Sequence, residues 1–220
     1  MIKAILFDLD GTILDRESSL NNFIDDQYDK FINYLKHIEM ITFKNKFIEL
    51  DKNGYVWKDK VYAQLIDYFN INHLTPDVFL NDYTTNFWKN CLPYPNLYKT
   101  LKILTANNYK LGIVTNGKFP FQYNNIKSLK IEEYMDIILV SEKEKVKKPN
   151  PVIFERAAKQ LGVKLNECIF IGDSLENDYT ASKSAGMYPI YKANNDQNSI
   201  NTIPTIQDLS EIPSIINTYN

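Results

Sequence analysis

The chain begins with MIKAILFDLDGTILD over residues 1–15, and this stretch decides the fold. Residues 3–9 are mostly apolar and have the length of one buried β-strand. Asp8 and Asp10 stand at the end of this strand and are followed by a glycine and a threonine. Like charges close together raise each other's pKa unless something compensates them, so the stretch is a candidate functional site, the alternative being a plain Asx-type turn.

Further apolar runs of strand length follow in the second half of the chain. Their hydrophobicity is nearly continuous, which is typical of strands buried on both faces of a parallel sheet. Apolar residues at helical spacing predict helices over 95–107, 151–161 and 177–185. Strands and helices in alternation predict an α/β fold with a doubly wound parallel sheet. The later strands are predicted at residues 109–115, 135–141, 167–173 and 187–193.

The segment between the first two strands has a different pattern. Its aromatic and aliphatic residues recur at helical spacing, with breaks near Glu39, Asn53-Gly54 and residues 73–76. This pattern predicts an all-helical domain of four helices, inserted at residues 15–93. The α/β core would then consist of residues 1–14 and 94–220.

Composition limits the class of protein and its partners. Hydrophobic residues make up 44% of the chain and its formal net charge is −2, as in a globular protein with a proper core. No basic excess suggests nucleic acid or an anionic membrane as a partner. The sequence has neither a membrane-length apolar run nor a signal-peptide pattern, so we expect a soluble, cytoplasmic protein. Its oligomeric state stays open.

Polar residues collect after the predicted strands. In a parallel sheet the carboxyl ends of the strands share one edge, and ligands bind at that edge. Separate stretches of the sequence therefore bring a set of polar side chains together there. These are Asp8, Asp10, Thr115, Lys148, Asp173 and Asp178.

The chemistry of this set follows from charge. Crowded carboxylates cannot all ionise without compensation, and oxygen-only ligands favour Mg²⁺ over zinc. Lys148 can neutralise a phosphate oxygen, and Thr115 can donate a hydrogen bond to it. One carboxylate can attack phosphorus, and a second can protonate the leaving alkoxide and later deprotonate water. The set is therefore suited to a Mg²⁺ site that receives a phosphate group.

The order of these residues resembles that of a known family. Asp8-Leu9-Asp10-Gly11-Thr12, Thr115-Asn116, Lys148-Pro149 and Gly172-Asp173-Ser174 with Asn177-Asp178 resemble the four motifs of the haloacid dehalogenase (HAD) superfamily. The helical insertion is similar to the C1-type cap of subfamily I. The resemblance implies a Rossmann-like core and phosphoryl transfer through an aspartyl-phosphate, with Mg²⁺ as cofactor.

The resemblance also implies roles for the acidic residues. Asp8 would be the nucleophile and Asp10 the general acid and base. The metal ligands would be the Asp8 carboxylate, the Asp10 main-chain carbonyl and Asp173. Asp178 would hold the metal's waters or the lysine.

The remaining motif residues would bind the transferred group. Thr115 and Asn116 would contact the phosphoryl oxygens, and Lys148 would stabilise their charge, with Lys147 as the alternative lysine. In the helical insertion, Trp57 and Lys58 are candidates for a substrate-specificity loop, the alternative being an ordinary turn and helix start.

We therefore predict a phosphomonoesterase that acts on a small phosphorylated metabolite. A phosphomutase similar to the β-phosphoglucomutases is the first alternative. A 2-haloacid dehalogenase is disfavoured because such enzymes lack the acidic residue two positions after the nucleophile. A phospho-receiver signalling module is disfavoured because its phosphoacceptor follows the third strand. The substrate stays open among phosphoglycolate, sugar phosphates, nucleoside monophosphates and pyrophosphate.

Overall fold

The structure, a computed structural model, describes residues 1–194 and 202–219. It divides into two compact units: Met1–Arg16 with Leu92–Asn220, and Glu17–Cys91. The first unit contains the parallel sheet, and the second is helical.

The α/β unit is built on a parallel sheet, which confirms the predicted fold class. Each of the five predicted strand segments contains a strand, and a short sixth strand, not predicted, extends one edge. The short strands β2 (Leu14–Asp15) and β3 (Leu92–Pro93) form a separate antiparallel pair. The strands of the parallel sheet are β1 (Ala4–Phe7), β4 (Lys110–Thr115), β5 (Ile137–Val140), β6 (Cys168–Gly172), β7 (Tyr188–Lys192) and β8 (Thr205–Ile206).

The position of β1 in the sheet defines where a ligand would bind. The strand order is β5-β4-β1-β6-β7-β8, so the chain builds one side outward from β1 and then returns to build the other. Ala4 of β1 is paired with Lys110 on one side and Cys168 on the other. A strand flanked in this way marks a topological switch point, and ligands bind beyond its carboxyl end. Asp8 is the first residue beyond that end.

Helices of the α/β unit flank the sheet. One core cluster joins Leu6 of β1 and Phe170 of β6 to Ile153, Phe154 and other buried residues of the helix α9 (Pro151–Leu161). Since strands covered on both faces have no solvent-facing side, all four residues of β1 are buried. The helices are α6 (Leu97–Ala106), α7 (Phe121–Ser128), α8 (Ser141–Glu144), α9 (Pro151–Leu161), α10 (Ala181–Ala185) and α11 (Ile212–Ile216).

The local sequence explains the bounds of α9, which follows the motif lysine. Asn150 caps its first turn, because the Asn150 side chain accepts a hydrogen bond from the Val152 main-chain N–H. Pro151 occupies the first turn, where no amide donor is needed. Gly162 ends the helix in the left-handed conformation, at φ 66°.

The helical unit has an aromatic core. Tyr62 stacks on Phe79 with ring centroids 5.2 Å apart, and Phe23 meets Tyr83 edge-on at 5.3 Å. The unit was expected to have four helices, and the structure adds a short α2 after a break at Phe31. Its helices are α1 (Arg16–Lys30), α2 (Ile32–Leu35), α3 (Met40–Asp51), α4 (Lys58–Phe69) and α5 (Pro76–Asn86). None of the helices in the described ranges is long and apolar enough to cross a membrane.

Candidate active site

The motif residues lie at the carboxyl ends of the central strands. Asp8 follows β1, Thr115 ends β4 and Asp173 follows β6. Asp178 lies in the helical turn Leu175–Thr180. Lys148 comes from the loop between α8 and α9. Stretches far apart in sequence therefore supply one cluster of charged groups.

Lys148 is the centre of this cluster. Its Nζ lies 2.7 Å from Asp8 Oδ1 and 2.6 Å from Asp178 Oδ1, and the lysine is only 3% exposed. Lys147, the alternative lysine, is exposed to solvent. The geometry therefore favours Lys148 as the lysine of the site.

The acidic residues of the cluster carry more charge than Lys148 neutralises. One carboxylate oxygen from each of Asp8, Asp173 and Asp178 lies within 4.8 Å of the other two. These donors are all oxygen, and they are close enough together to share one small cation. Their number and type fit a hard divalent ion such as Mg²⁺.

The pKa values of these groups reflect the same crowding. Burial raises the pKa of the Asp8 carboxyl well above its usual value; Lys148 opposes this rise, and Asp178 and Asp173 add to it. Burial, with the charge of Asp178, raises the pKa of Asp173 to about 7. Burial alone would lower the pKa of the Lys148 ammonium, but Asp178 and Asp8 outweigh it and raise that pKa. The lysine stays charged, and the surplus negative charge favours a cation.

Two glycines make room for the acidic side chains. At Gly11, φ is 77°, and a Cβ would lie 2.1 Å from Asp173 Oδ2. At Gly172, a Cβ would lie 2.4 Å from the Asp178 side chain. Because real Cβ contacts are never this short, both positions require glycine for the carboxylates to converge.

Asn116 is bonded to the lysine loop rather than projecting freely. Its Nδ2 donates to the Lys148 main-chain oxygen at 2.9 Å, and the Lys148 N–H donates to its Oδ1 at 2.9 Å. The neighbouring Thr115 is buried at the end of β4. The Asn116 side chain can therefore position Lys148, while its main-chain N–H is the group that can contact a phosphate.

Trp57 and Lys58 lie in the helical unit. Lys58 is buried and forms an ion pair with Asp51, and its Nζ lies 5.2 Å from the centre of the Tyr83 ring. The Trp57 and Tyr83 rings meet edge-on at 6.1 Å. Lys58 is thus buried beside the aromatic core of that unit, whereas Trp57 is half-buried against Tyr83.

Two further polar residues at the site were missed in the sequence. Gln122 Nε2 donates to Asp10 Oδ2 at 2.5 Å and to Thr115 Oγ1 at 2.9 Å. Asn194 Nδ2 donates to the Gly11 main-chain oxygen at 2.8 Å. Single amides outside the recognised motifs carry no spacing signal, so only the tertiary structure reveals them.

Comparison with known proteins shows the family of the chain. The family profile of haloacid dehalogenase-like hydrolases matches residues 5–191, so the chain belongs to that family. A glyceraldehyde 3-phosphate phosphatase of Methanocaldococcus jannaschii is 29% identical over 96% of this chain and 97% of its own length. Pyrophosphatase PpaX of Bacillus cereus is 26% identical over 84% of this chain and 80% of its own.

A solved structure supports the same class. The crystal structure of a HAD phosphatase from Thermococcus onnurineus matches with a TM-score of 0.68 at 28% identity, covering 98% of both chains. Together with the curated relatives, this likeness identifies the chain as an enzyme of the family's phosphatase class.

Proposed function

We propose that the chain hydrolyses a small phosphate monoester through an aspartyl-phosphate on Asp8, with Mg²⁺ as its cofactor. One observation carries this proposal: the Asp8 carboxylate is held by Lys148 at the switch point of the sheet, beside two further carboxylates. Groups that could serve as a nucleophile, a cation for the phosphate and metal ligands thus lie close together, which supports the proposal.

Asp8, Asp173 and the Asp10 main-chain carbonyl would hold the Mg²⁺. When bound, the ion would neutralise the surplus carboxylate charge and polarise the phosphoryl oxygens. Asp178 would hold Lys148 in place, because its Oδ1 accepts from Lys148 and its Oδ2 accepts from the Ser174 main-chain N–H at 3.0 Å.

In the first half of the reaction, an Asp8 carboxylate oxygen forms a bond to phosphorus. The ester P–O bond breaks, and its electron pair stays on the leaving oxygen. Asp10 transfers its proton to that oxygen, so the product leaves as a neutral alcohol. Asp8 then carries the phosphoryl group and Asp10 is ionised.

In the second half, Asp10 removes a proton from water as the water oxygen attacks phosphorus. The bond between phosphorus and Asp8 breaks, and inorganic phosphate leaves. Asp8 becomes a carboxylate again and Asp10 is again protonated, so the cycle closes. Lys148, the Thr115 hydroxyl and the Asn116 main-chain N–H would stabilise the phosphoryl oxygens in both halves.

The substrate would be a small, polar phosphorylated metabolite. Glyceraldehyde 3-phosphate and pyrophosphate are the first compounds to test, since these are the substrates that the names of the similar proteins give. We propose that the helical unit acts as the cap that discriminates among such phosphorylated compounds, with Trp57 and Lys58 as the first residues to vary.

The test is a panel of phosphorylated metabolites assayed at fixed Mg²⁺ with the parent chain and Asp8→Asn. We expect Mg²⁺-dependent phosphate release that Asp8→Asn abolishes. Asp26→Asn, an exposed change of the same type, serves as the control and should retain parental rates. Parental activity in Asp8→Asn would overturn the mechanism.

The same panel separates the alternatives. A mutase would convert one sugar phosphate isomer into another without releasing inorganic phosphate. A dehalogenase would release halide from a 2-haloacid in the presence of a chelator. Either result, without phosphate release from any ester, would replace the phosphatase proposal.

A further inference from the structure

Gln122 connects two residues of the site that come from different strands. It lies in the first turn of α7 and is 3% exposed. Its Nε2 donates to Asp10 Oδ2 at 2.5 Å and to Thr115 Oγ1 at 2.9 Å. A third acceptor, the Asn116 main-chain oxygen, lies farther away at 3.3 Å. Because an amide nitrogen carries two hydrogens, it can satisfy the two shorter contacts at once.

The surroundings fix the orientation of this amide. Asn125 Nδ2 donates to Gln122 Oε1 at 3.3 Å, so the amide oxygen faces a donor and the nitrogen faces the Asp10 carboxylate. The opposite orientation would turn the Gln122 amide nitrogen toward Asn125 Nδ2, which places one donor against another.

Gly117 makes the approach of Gln122 possible. A Cβ at position 117 would lie 2.6 Å from Gln122 Cγ. The glycine directly after Asn116 therefore leaves the space that the Gln122 side chain fills. The contact depends on three residues: Asp10 from one segment of the chain, and Gly117 and Gln122 from another. This argues against a chance encounter of two surface groups.

We propose that Gln122 is a positioning residue for Asp10, an inference that rests on the proposed function. Gln122 holds Oδ2 of the Asp10 carboxyl, which assigns Oδ1 to proton transfer with the leaving oxygen and then with water. Thr115 Oγ1 accepts from Gln122 and donates only a long bond, at 3.4 Å, to the Asn116 main-chain oxygen, so its proton can turn to a phosphoryl oxygen.

The effect of losing Gln122 should depend on the leaving group. An alkyl phosphate needs a well-placed acid, whereas p-nitrophenolate leaves without one. Breakdown of the aspartyl-phosphate needs Asp10 as a base for every substrate. A variant without the amide should therefore form phosphoenzyme normally from p-nitrophenyl phosphate and hydrolyse it slowly.

The experiment compares Gln122→Met, which keeps the length of the side chain but removes both donors, with the parent chain. We expect kcat for an alkyl phosphate to fall about 10- to 100-fold while KM changes less than about threefold. Rapid quench with p-nitrophenyl phosphate should show an accumulated phosphoenzyme. Asn124→Met, on the same helix, is the control and should match the parent.

A double-mutant comparison separates positioning from a general structural role. In an Asp10→Asn background, Gln122→Met should lower kcat by less than a further factor of about three, because the carboxyl group that Gln122 positions is already absent. An equal loss in both backgrounds would overturn the inference. If Gln122→Met does not fold, Gln122→Glu replaces it, and the same leaving-group dependence is expected.

The outcomes also distinguish this inference from the proposed function. A parent chain without phosphatase activity would overturn both. An active parent with an inactive Asp8→Asn, but parental kcat and no phosphoenzyme accumulation in Gln122→Met, would overturn the role of Gln122 alone.

Discussion

The Asn116 side chain is bonded to both main-chain polar groups of Lys148. Nδ2 donates to the lysine carbonyl and Oδ1 accepts from the lysine N–H, each at 2.9 Å. Two residues that are 32 positions apart are thus joined by a pair of hydrogen bonds, with one donor and one acceptor on each residue, as between paired β-strands. This pair of bonds fixes the lysine loop relative to the end of β4.

The first prediction concerns this pair of bonds. Asn116→Ala removes both, each of which contributes about 0.5–1.5 kcal/mol, so we expect kcat/KM to fall roughly 10-fold as Lys148 loses its position. In a Lys148→Met background the same change should have little further effect. Steady-state kinetics of the parent, the two single variants and the double variant would test it. Additive losses of kcat/KM would mean that Asn116 acts independently of Lys148.

The second prediction separates the neighbouring lysines. Lys148→Met leaves the buried carboxylates of Asp8 and Asp178 without their ion-pair partner, which costs on the order of 3 kcal/mol of unfolding free energy. Activity should also fall strongly, to a low residual rate. Lys147→Met, at an exposed position, should change neither property. Denaturant unfolding and phosphatase assays measure both, and inactivity of Lys147→Met would reassign the lysine.

The third prediction concerns glycine at the end of the first motif. Gly11→Ala places a Cβ 2.1 Å from Asp173 Oδ2 and should abolish Mg²⁺-dependent stabilisation and activity. Gly162→Ala is the matched control, because Gly162 also has a positive φ of 66° but its Cβ would meet nothing closer than 3.8 Å. The control should lose about 1–2 kcal/mol of stability and stay active. Equal loss of Mg²⁺ response in both variants would contradict the account.

The fourth prediction is a pH-dependent response to Mg²⁺. The pKa of Asp173 is raised to about 7 in the fold, so without metal the folded state binds more protons than the unfolded state between about pH 4 and pH 7. Stability of the metal-free protein should therefore fall as pH rises through this window. Mg²⁺ replaces the proton, so its stabilising effect should be larger at pH 8 than at pH 5.

Thermal unfolding with and without Mg²⁺ measures this difference. At a hundredfold excess over Kd, the ion should add about 2.7 kcal/mol at pH 8, which is roughly 5–10 °C for a protein of this size. Asp173→Asn should reduce the pH dependence of the Mg²⁺ effect, with the remainder due to Asp8, whose pKa is also raised. A Mg²⁺ shift that is the same at both pH values would contradict the assignment of Asp173 to the cation site.

The sequence predicted the parts of the fold that depend on continuous patterns. The apolar run before Asp8 indicated a buried strand, and it forms β1 at the centre of the sheet. The breaks near Glu39 and Asn53-Gly54 marked the ends of helices in the inserted segment, whereas the extra break at Phe31 had no glycine or proline to signal it.

The contacts made by amides could not be predicted in the same way. A lone Gln122, seven residues after Thr115, carries no periodic or charge signal, and α7 itself was not anticipated. Asn116 was assigned to the phosphate by resemblance, but the hydrogen bonds of its side chain to Lys148 depend on where a distant loop returns. Such details follow from tertiary geometry alone.

The most direct test of the central claim is the site of phosphoryl transfer. The parent chain and Asp10→Asn are mixed with p-nitrophenyl phosphate and Mg²⁺, quenched in acid, digested and analysed by mass spectrometry. The account predicts one phosphoryl group on Asp8, transient in the parent and accumulated in Asp10→Asn. Turnover with the phosphoryl group on another residue, or with none on Asp8 in either protein, would contradict it.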